Sequence, residues 1–315
     1  MTASFSQEGA HEKRSAAMTS VIAAIGLTGF KIVVGFATGS LGILAEAAHS
    51  GLDLIAAMMT WLAVRFSGKP ADRNHLYGHG KVENLSGLFE TVLLLVTCVW
   101  IIYEAVHRLL FHGIDLKVNL WSFAVMITSI VVDVSRSRVL YRAAKKYNSQ
   151  ALEADALHFS TDIWSSGVVI VGLLFVKLSE WLPGSAFLRQ ADSLAAIMVG
   201  LIVVYVSMKL GVRTVQALLD VAPSGIEKKI ISAVQVLPGV TNCHQVRLRY
   251  SGPQLFVDIH VLLDGNQTLM AAHNLTEEIE RVIQNLVPDA DVTVHPEPAL
   301  SSSEREKGNL PFFDP

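Results

Sequence analysis

Ala45-Glu46-Ala47-Ala48-His49-Ser50-Gly51-Leu52-Asp53 and Ala154-Asp155-Ala156-Leu157-His158-Phe159-Ser160-Thr161-Asp162 repeat one pattern about a hundred residues apart. Each holds H-x-x-x-D inside an apolar stretch, and a spacing of four puts imidazole and carboxylate on one face of a helix. Two such helices facing each other would bring His49, Asp53, His158 and Asp162 together as a closed tetrahedral set. Its nitrogen and oxygen donors, at roughly 2.0 to 2.2 Å, suit a divalent transition metal. One isolated histidine in an apolar helix is usually a packing residue. The repetition changes that reading, because four ionisable side chains would otherwise each need a separate partner to offset desolvation, and one cation satisfies all of them. Ionisable groups within a bilayer mark functional paths, so the pattern predicts carriage of such ions across a membrane.

The composition agrees with a membrane setting. The chain has 315 residues, of which 51% are hydrophobic and 17% charged, where a soluble domain carries about 25% charged residues. Its mean hydropathy is +0.43. Apolar windows of spanning length fall near 18–38, 41–64, 85–107, 118–139, 153–180 and 191–213, which predicts six transmembrane helices. Hydropathy alone starts the fifth near Ala156 and leaves His158 at the membrane edge, so its helix is expected to begin earlier, near Gln150. Residues 1–17 are a polar N-terminal segment without a cleavable signal, 18–213 the transport domain, and 299–315 a polar, disordered tail.

Basic residues set the orientation. Arg65, Lys69, Arg73 and Lys81 lie between spans 2 and 3, and Arg136, Arg138, Arg142, Lys145 and Lys146 between spans 4 and 5. Those connections are predicted to be cytoplasmic, as are both termini. Cys98 and Cys243 fall in different regions and cannot pair by this topology. A net charge of −3 says little about partners, and the absence of a basic patch with interleaved aromatics argues against nucleic acid.

Three further groups carry ligand chemistry. Asp72, His75 and His79 are spaced by three and four, so one turn could gather them on an exchangeable ion, or they are a hydrated loop. Residues 222–298 read as helix, strand, strand, helix, strand, an α+β domain. Ser224-Gly225-Ile226-Glu227 reads as a capping box, with the helix stopping at Pro238-Gly239. Strands are expected near 242–250 and 254–263 about a Ser251-Gly252-Pro253 turn, a helix over Thr268–Leu286, and a last strand at 291–295. His244, His260, His273, His295 and Glu297 form its metal-ligand set, able to sense metal or tighten a dimer if shared between chains. Glu153 and Asp155 are expected in the cytoplasmic mouth, and Glu46 either in a similar part or in a solvated or salt-bridged structural role. Lys31, Glu90 and Asp133 are expected to form interhelical pairs or line the path, the first reading being favoured.

Together these features resemble the cation diffusion facilitator family, most closely its bacterial zinc/iron exporters that work by proton antiport. The resemblance runs from about Met18 to Pro298. It rests on the paired H-x-x-x-D, on Lys69-Pro70-Ala71-Asp72 leading into Tyr77-Gly78-His79-Gly80-Lys81-Val82-Glu83, and on the C-terminal histidines. It implies a homodimer of six-helix protomers in the bacterial inner membrane, with a metallochaperone-like cytosolic domain. His49, Asp53, His158 and Asp162 match its transport site, Asp72, His75 and His79 its loop site, and the C-terminal set its cytosolic site, with Glu297 where relatives often have Asp. Lys81 and Asp220 match a charge pair joining the membrane and cytosolic regions. A histidine at position 49 resembles the zinc-selective members, and a second imidazole favours zinc (Zn2+), or cobalt (Co2+), over harder ions. Iron (Fe2+) is a further alternative, and cadmium is expected to be disfavoured. Histidine titrates near neutrality, so metal and protons can exchange at such a site.

Two rival classes are weaker. A metallohydrolase needs an open coordination position, and no H-E-x-x-H occurs. A membrane-bound metal sensor without transport would leave the four intramembrane ligands unexplained.

Overall fold

The computed structural model describes residues 2–111, 120–179 and 186–299. The chain divides after Leu218 into a helical unit and a C-terminal domain. The helical unit holds α1 (Thr2–Thr38), α2 (Leu41–Ser67), α3 (Lys81–Phe111), α4 (Leu120–Tyr147), α5 (Gln150–Ser179) and α6 (Ala186–Leu218).

Connections fix the helix order. Gly39, at φ 64°, and Ser40 join α1 to α2, and the Ser40 hydroxyl accepts from the Ile43 amide as an N-cap. Asn148, at φ 48°, and Ser149 join α4 to α5 in the same two-residue manner. Consecutive helices joined this tightly run antiparallel. The start of α5 at Gln150 is the early start that the position of His158 required.

Four helices hold an apolar stretch of spanning length, within Gly9–Thr38, Glu46–Ser67, Lys81–His107 and Ile197–Leu218. The described parts of α4 and α5 fall short of that measure because Asp133, Arg136, Asp155, His158 and Asp162 sit in them. These side chains turn inward: Arg136 and Asp155 are 5% and 0% exposed. Both positions correct the sequence reading. Arg136 is no loop cation but is buried between α1 and α4, donating to the Ser20 hydroxyl at 3.1 and 3.2 Å and to Asp133 at 3.4 Å. Asp155 does not line an open mouth. Nor does α1 begin at the membrane segment: it is helical from Thr2, and Glu12 pairs with Lys146 of α4 at 2.7 Å.

The C-terminal domain is α7 (Ile226–Val234), β1 (Val240–Ser251), β2 (Gln254–Asp264), α8 (Leu269–Leu286) and β3 (Asp291–Ala299). β1 and β2 are antiparallel, β2 and β3 parallel, in the order β1-β2-β3. Leu255, Val257, Ile259 and Val261 point into one core with Ile230, Ile279 and Ile283, as alternation along β2 predicts. Thr268 caps α8 through the Ala271 amide. The expected capping box is absent: Gly225, in the left-handed region at φ 83°, occupies the N-cap, so Ser224 falls one residue too early. α7 also stops at Val234, short of Pro238. The tail at 300–315 lies outside the described residues.

Candidate metal centres

α2 and α5 pack against each other and start from opposite ends of the bundle. His49 and His158 each lie eight residues into their helix, about 12 Å at 1.5 Å per residue, so both stand well inside the bundle. There His158 Nε2 stands 3.1 Å from Asp53 Oδ1 and 3.8 Å from Asp162 Oδ2. His49 Nε2 is 4.0 Å from the same Asp53 oxygen. One donor atom each from His49, Asp53 and Asp162 falls within 4.8 Å of the others. Donors at about 2.1 Å around a tetrahedral ion lie about 3.4 Å apart, so the His158 contacts with Asp53 and Asp162 and the His49 contact with Asp53 stand near the spacing one cation demands. His158 is buried, with 5% of its side chain exposed, whereas His49 is 44% exposed and forms the open corner of the set.

The loop between α2 and α3 gathers its three residues. His75 Nδ1 lies 3.2 Å and His79 Nε2 3.4 Å from the two oxygens of Asp72, with the imidazole rings 4.3 Å apart. The backbone amides of Asn74 and His75 donate to Asp72 Oδ1 and hold its carboxyl below the usual range. His79 Nδ1 is buried without a hydrogen-bond partner among the described residues.

In the C-terminal domain the sheet register aligns His244, His260 and His295 across β1, β2 and β3. Glu297 lies among them: 2.6 Å from His260 Nδ1, 3.4 Å from His244 Nε2 and 3.8 Å from His295 Nε2. The His260 hydrogen bond holds the Glu297 carboxyl below its ordinary value. His273 is not brought into this set. It faces Glu277 of its own helix at 3.4 Å, because an i,i+4 neighbour is nearer than the sheet.

The remaining expectations resolve into pairs. Lys31 reaches Ser50 at 2.7 Å and Glu46 at 3.2 Å, an interhelical tie between α1 and α2. Glu153 pairs with Arg213 of α6. Lys81 opens α3, and Asp220 follows α6 at φ 56°. Sequence reading assigned no role to Glu83, which is fully buried and accepts from Lys13 at 2.6 Å, from Ser67 at 2.7 Å and from Ser149. Its signal was an acid three residues before an apolar run, which also marks an ordinary first turn of a helix.

Two family models match this chain: the cation efflux transmembrane domain over residues 17–219 and the cation efflux protein cytoplasmic domain over 222–299. The chain belongs to the cation diffusion facilitator family. The cation-efflux pump FieF of Serratia proteamaculans (strain 568) is 32% identical over 298 residues, covering 94% of this chain and 96% of that one. FieF of Cronobacter sakazakii (strain ATCC BAA-894) is 30% identical over 296 residues, 94% and 96% of the two chains. Among solved structures, the zinc form of CzrB is 26% identical and covers 25% of this chain and 91% of that one, with a TM-score of 0.24. As a family member, the chain is an integral membrane transporter that exports divalent cations.

Proposed function

We propose that this transporter exports zinc from the bacterial cytoplasm in exchange for protons, with His49, Asp53, His158 and Asp162 as the transport site. The observation that carries this reading is His158 Nε2 standing 3.1 and 3.8 Å from two carboxylates on two helices, with His49 beside them. A bound cation neutralises both carboxylates and takes the lone pairs of both imidazoles. Each imidazole can instead bind a proton, so a proton-rich far side releases the metal. Two imidazoles and two carboxylates favour zinc or cobalt over manganese and magnesium.

Asp72, His75 and His79 offer three donors and an open position, suited to fast exchange at the cytoplasmic surface. His244, His260, His295 and Glu297 form a metal-responsive cluster on a domain that pairs with a second copy in a homodimer. His273 would join such a site only across the dimer, and the Lys81–Asp220 pair would tie the two regions together. Both termini are cytoplasmic in this reading.

Sealed proteoliposomes test it. Zinc-driven proton flux should exceed that with cobalt, cadmium, iron(II) or manganese, and Asp162→Ala should remove it. Zinc uptake without proton movement would sink the antiport, and full activity in His49→Ala would remove that residue from the site.

A further inference from the structure

The loop that carries Asp72, His75 and His79 leaves α2 after Ser67 and enters α3 at Lys81. The amides of Asp72 and Gly78 both donate to the His75 carbonyl, at 3.2 and 3.0 Å. Gly78, at φ 73°, folds the far arm back onto the near one, where a Cβ would stand 3.8 Å from the Lys69 carbonyl oxygen and 3.9 Å from the Ala71 amide nitrogen. α3 then starts directly on the ligand residue, with the Val82 amide donating to the His79 carbonyl and the Glu83 amide to the Gly80 carbonyl, both at 3.0 Å. The loop is thus folded within itself, but ligands on a loop hold their place only as firmly as the residues that support its ends.

Glu83 supports both ends. Its side chain is fully buried, and its Oε1 accepts from the Ser67 hydroxyl at 2.7 Å, joining the last residue of α2 to the first turn of α3 at the base of the loop. Ser67 Oγ also lies 3.1 Å from the Val64 carbonyl oxygen, but the carboxylate is nearer and a charged acceptor makes the stronger bond. The same Oε1 accepts from Lys13 of α1 at 2.6 Å, and Lys13 is itself buried. Oε2 accepts from the Ser149 hydroxyl. Ser149 stands at the N-cap of α5, its carbonyl receiving the Glu153 amide at 3.1 Å and its hydroxyl oxygen the Leu152 amide at 3.5 Å. Beside this contact Asn84 donates to the Gln150 side chain at 2.7 Å. One carboxylate therefore holds the two ends of the loop, the N-terminal part of α1 and the start of the helix that carries His158 and Asp162.

A buried ion pair is a poor source of stability, since well-packed apolar side chains of similar volume often do as well or better. What an apolar side chain lacks is direction: the two carboxylate oxygens fix donors from three separate segments at set distances. We propose that Glu83 is the positioning residue of the loop site, its carboxylate clamping the stem that carries Asp72, His75 and His79 and seating that stem on α1 and α5. The clamp rests on the reading of those three residues as a metal-exchange site. With the stem closed, the three donors are already gathered when an ion arrives. With it open, part of the binding free energy goes into gathering them.

Zinc titration calorimetry of the full-length protein in lipid nanodiscs reads the loop once Asp162→Ala and His260→Ala have disabled the other two centres. In that background the binding that His79→Ala removes belongs to the loop. Ser67→Ala opens the stem and leaves the buried ion pair intact, so the loop should bind zinc about tenfold more weakly, and Ser67→Thr, which keeps the hydroxyl, should restore it. In proteoliposomes with the other centres native, Ser67→Ala should raise the KM for zinc and keep the rate at saturation. Unchanged loop affinity in Ser67→Ala overturns the proposal and leaves the loop site standing. So does a lower saturated rate at unchanged KM, the mark of a structural role. Lys13→Met combined with Glu83→Leu removes the clamp without stranding a charge and should weaken the loop as Ser67→Ala does; wild-type affinity in that pair also overturns the assignment. If His79→Ala removes no binding, the loop reading itself falls and the proposal falls with it.

Discussion

The helical unit buries, beside large apolar side chains, small and polar ones that the core of the C-terminal domain mostly leaves out. In the domain, Ile230, Val257, Ile259, Val261, Ile279 and Ile283 close a single apolar core, and His244 and His260 stay half-buried on the sheet while His295 is exposed. In the helical unit the buried positions go to Ala17, Ala57, Ala151 and Ala156 and to Ser20, Thr60, Glu83, Glu90 and Arg136, while Ile22, Val33, Phe36, Val96, Trp100 and Val131 face outward. Water drives apolar groups inward in the first case. Lipid exerts no such drive, so helices associate through small residues that allow close approach and through polar contacts. Gly87 shows how close: a Cβ there would lie 3.2 Å from the Gln150 carbonyl oxygen of α5.

The metal clusters follow the same division. In the C-terminal domain the Glu297 carboxylate already has a hydrogen-bonded histidine and water nearby, so the apo state is comfortable. In the membrane, Asp53 and Asp162 are answered at close range by imidazoles that carry charge only when protonated. Removing a ligand should therefore cost far more there. Asp162→Ala is expected to reduce zinc flux to the background of empty liposomes, whereas His260→Ala should lower metal binding by the protein and leave measurable flux. Equal losses in both variants would break the comparison.

Stability should divide in the same way, and thermal unfolding of the full chain followed by circular dichroism or limited proteolysis would measure it. Ile259→Ala opens a cavity in the domain core and should destabilise that domain by about 2 to 5 kcal/mol. Ala151→Leu overfills a helix contact in the membrane unit, at about 1 to 3 kcal/mol. Val131→Ala, on the outward face of α4, should change stability by no more than about 0.5 kcal/mol. A large loss from Val131→Ala would show that this face is packed against protein and not lipid.

The smallest expected effect concerns Glu12 and Lys146. The hydrogen bond from Lys146 holds the Glu12 carboxyl below its usual range. A folded-state value lowered in this way contributes stability above the unfolded-state value, and that contribution is lost as pH falls through the folded-state value. Lys146→Ala should therefore lower stability slightly at neutral pH and leave it unchanged in acid, so that the acid limb of the stability profile flattens. A pH titration of the melting temperature would show it.

The division also explains what could be read from the sequence. The C-terminal strands and α8 follow from alternation and periodicity, because an aqueous core imposes a two-residue or 3.6-residue rhythm. The transport ligands are legible because H-x-x-x-D occurs twice and the helical repeat does the rest. The buried polar ties are harder. Arg136 sits in a run of basic residues and counts as a loop cation until α1 is known to cover it. Asp155 looks like a mouth residue until it is seen buried, accepting from Ser20 of α1. Inward-facing polar residues in a bundle are identified by which helices are neighbours, which one-dimensional hydropathy does not record. The misplaced cap at Ser224 has a local cause: the left-handed conformation of Gly225 has no hydrophobic signature.

Pro296 and Pro298 stand two residues apart in β3, the outermost strand of the sheet, which pairs with β2 on its inner side. Alternation places both missing N–H groups on the same, outer side. Over its last residues that margin lacks donors a further strand would need, which weakens pairing with another chain there. Wherever these domains crowd together, lateral pairing through β3 is disfavoured against association by side-chain surfaces, whose contacts can loosen and re-form.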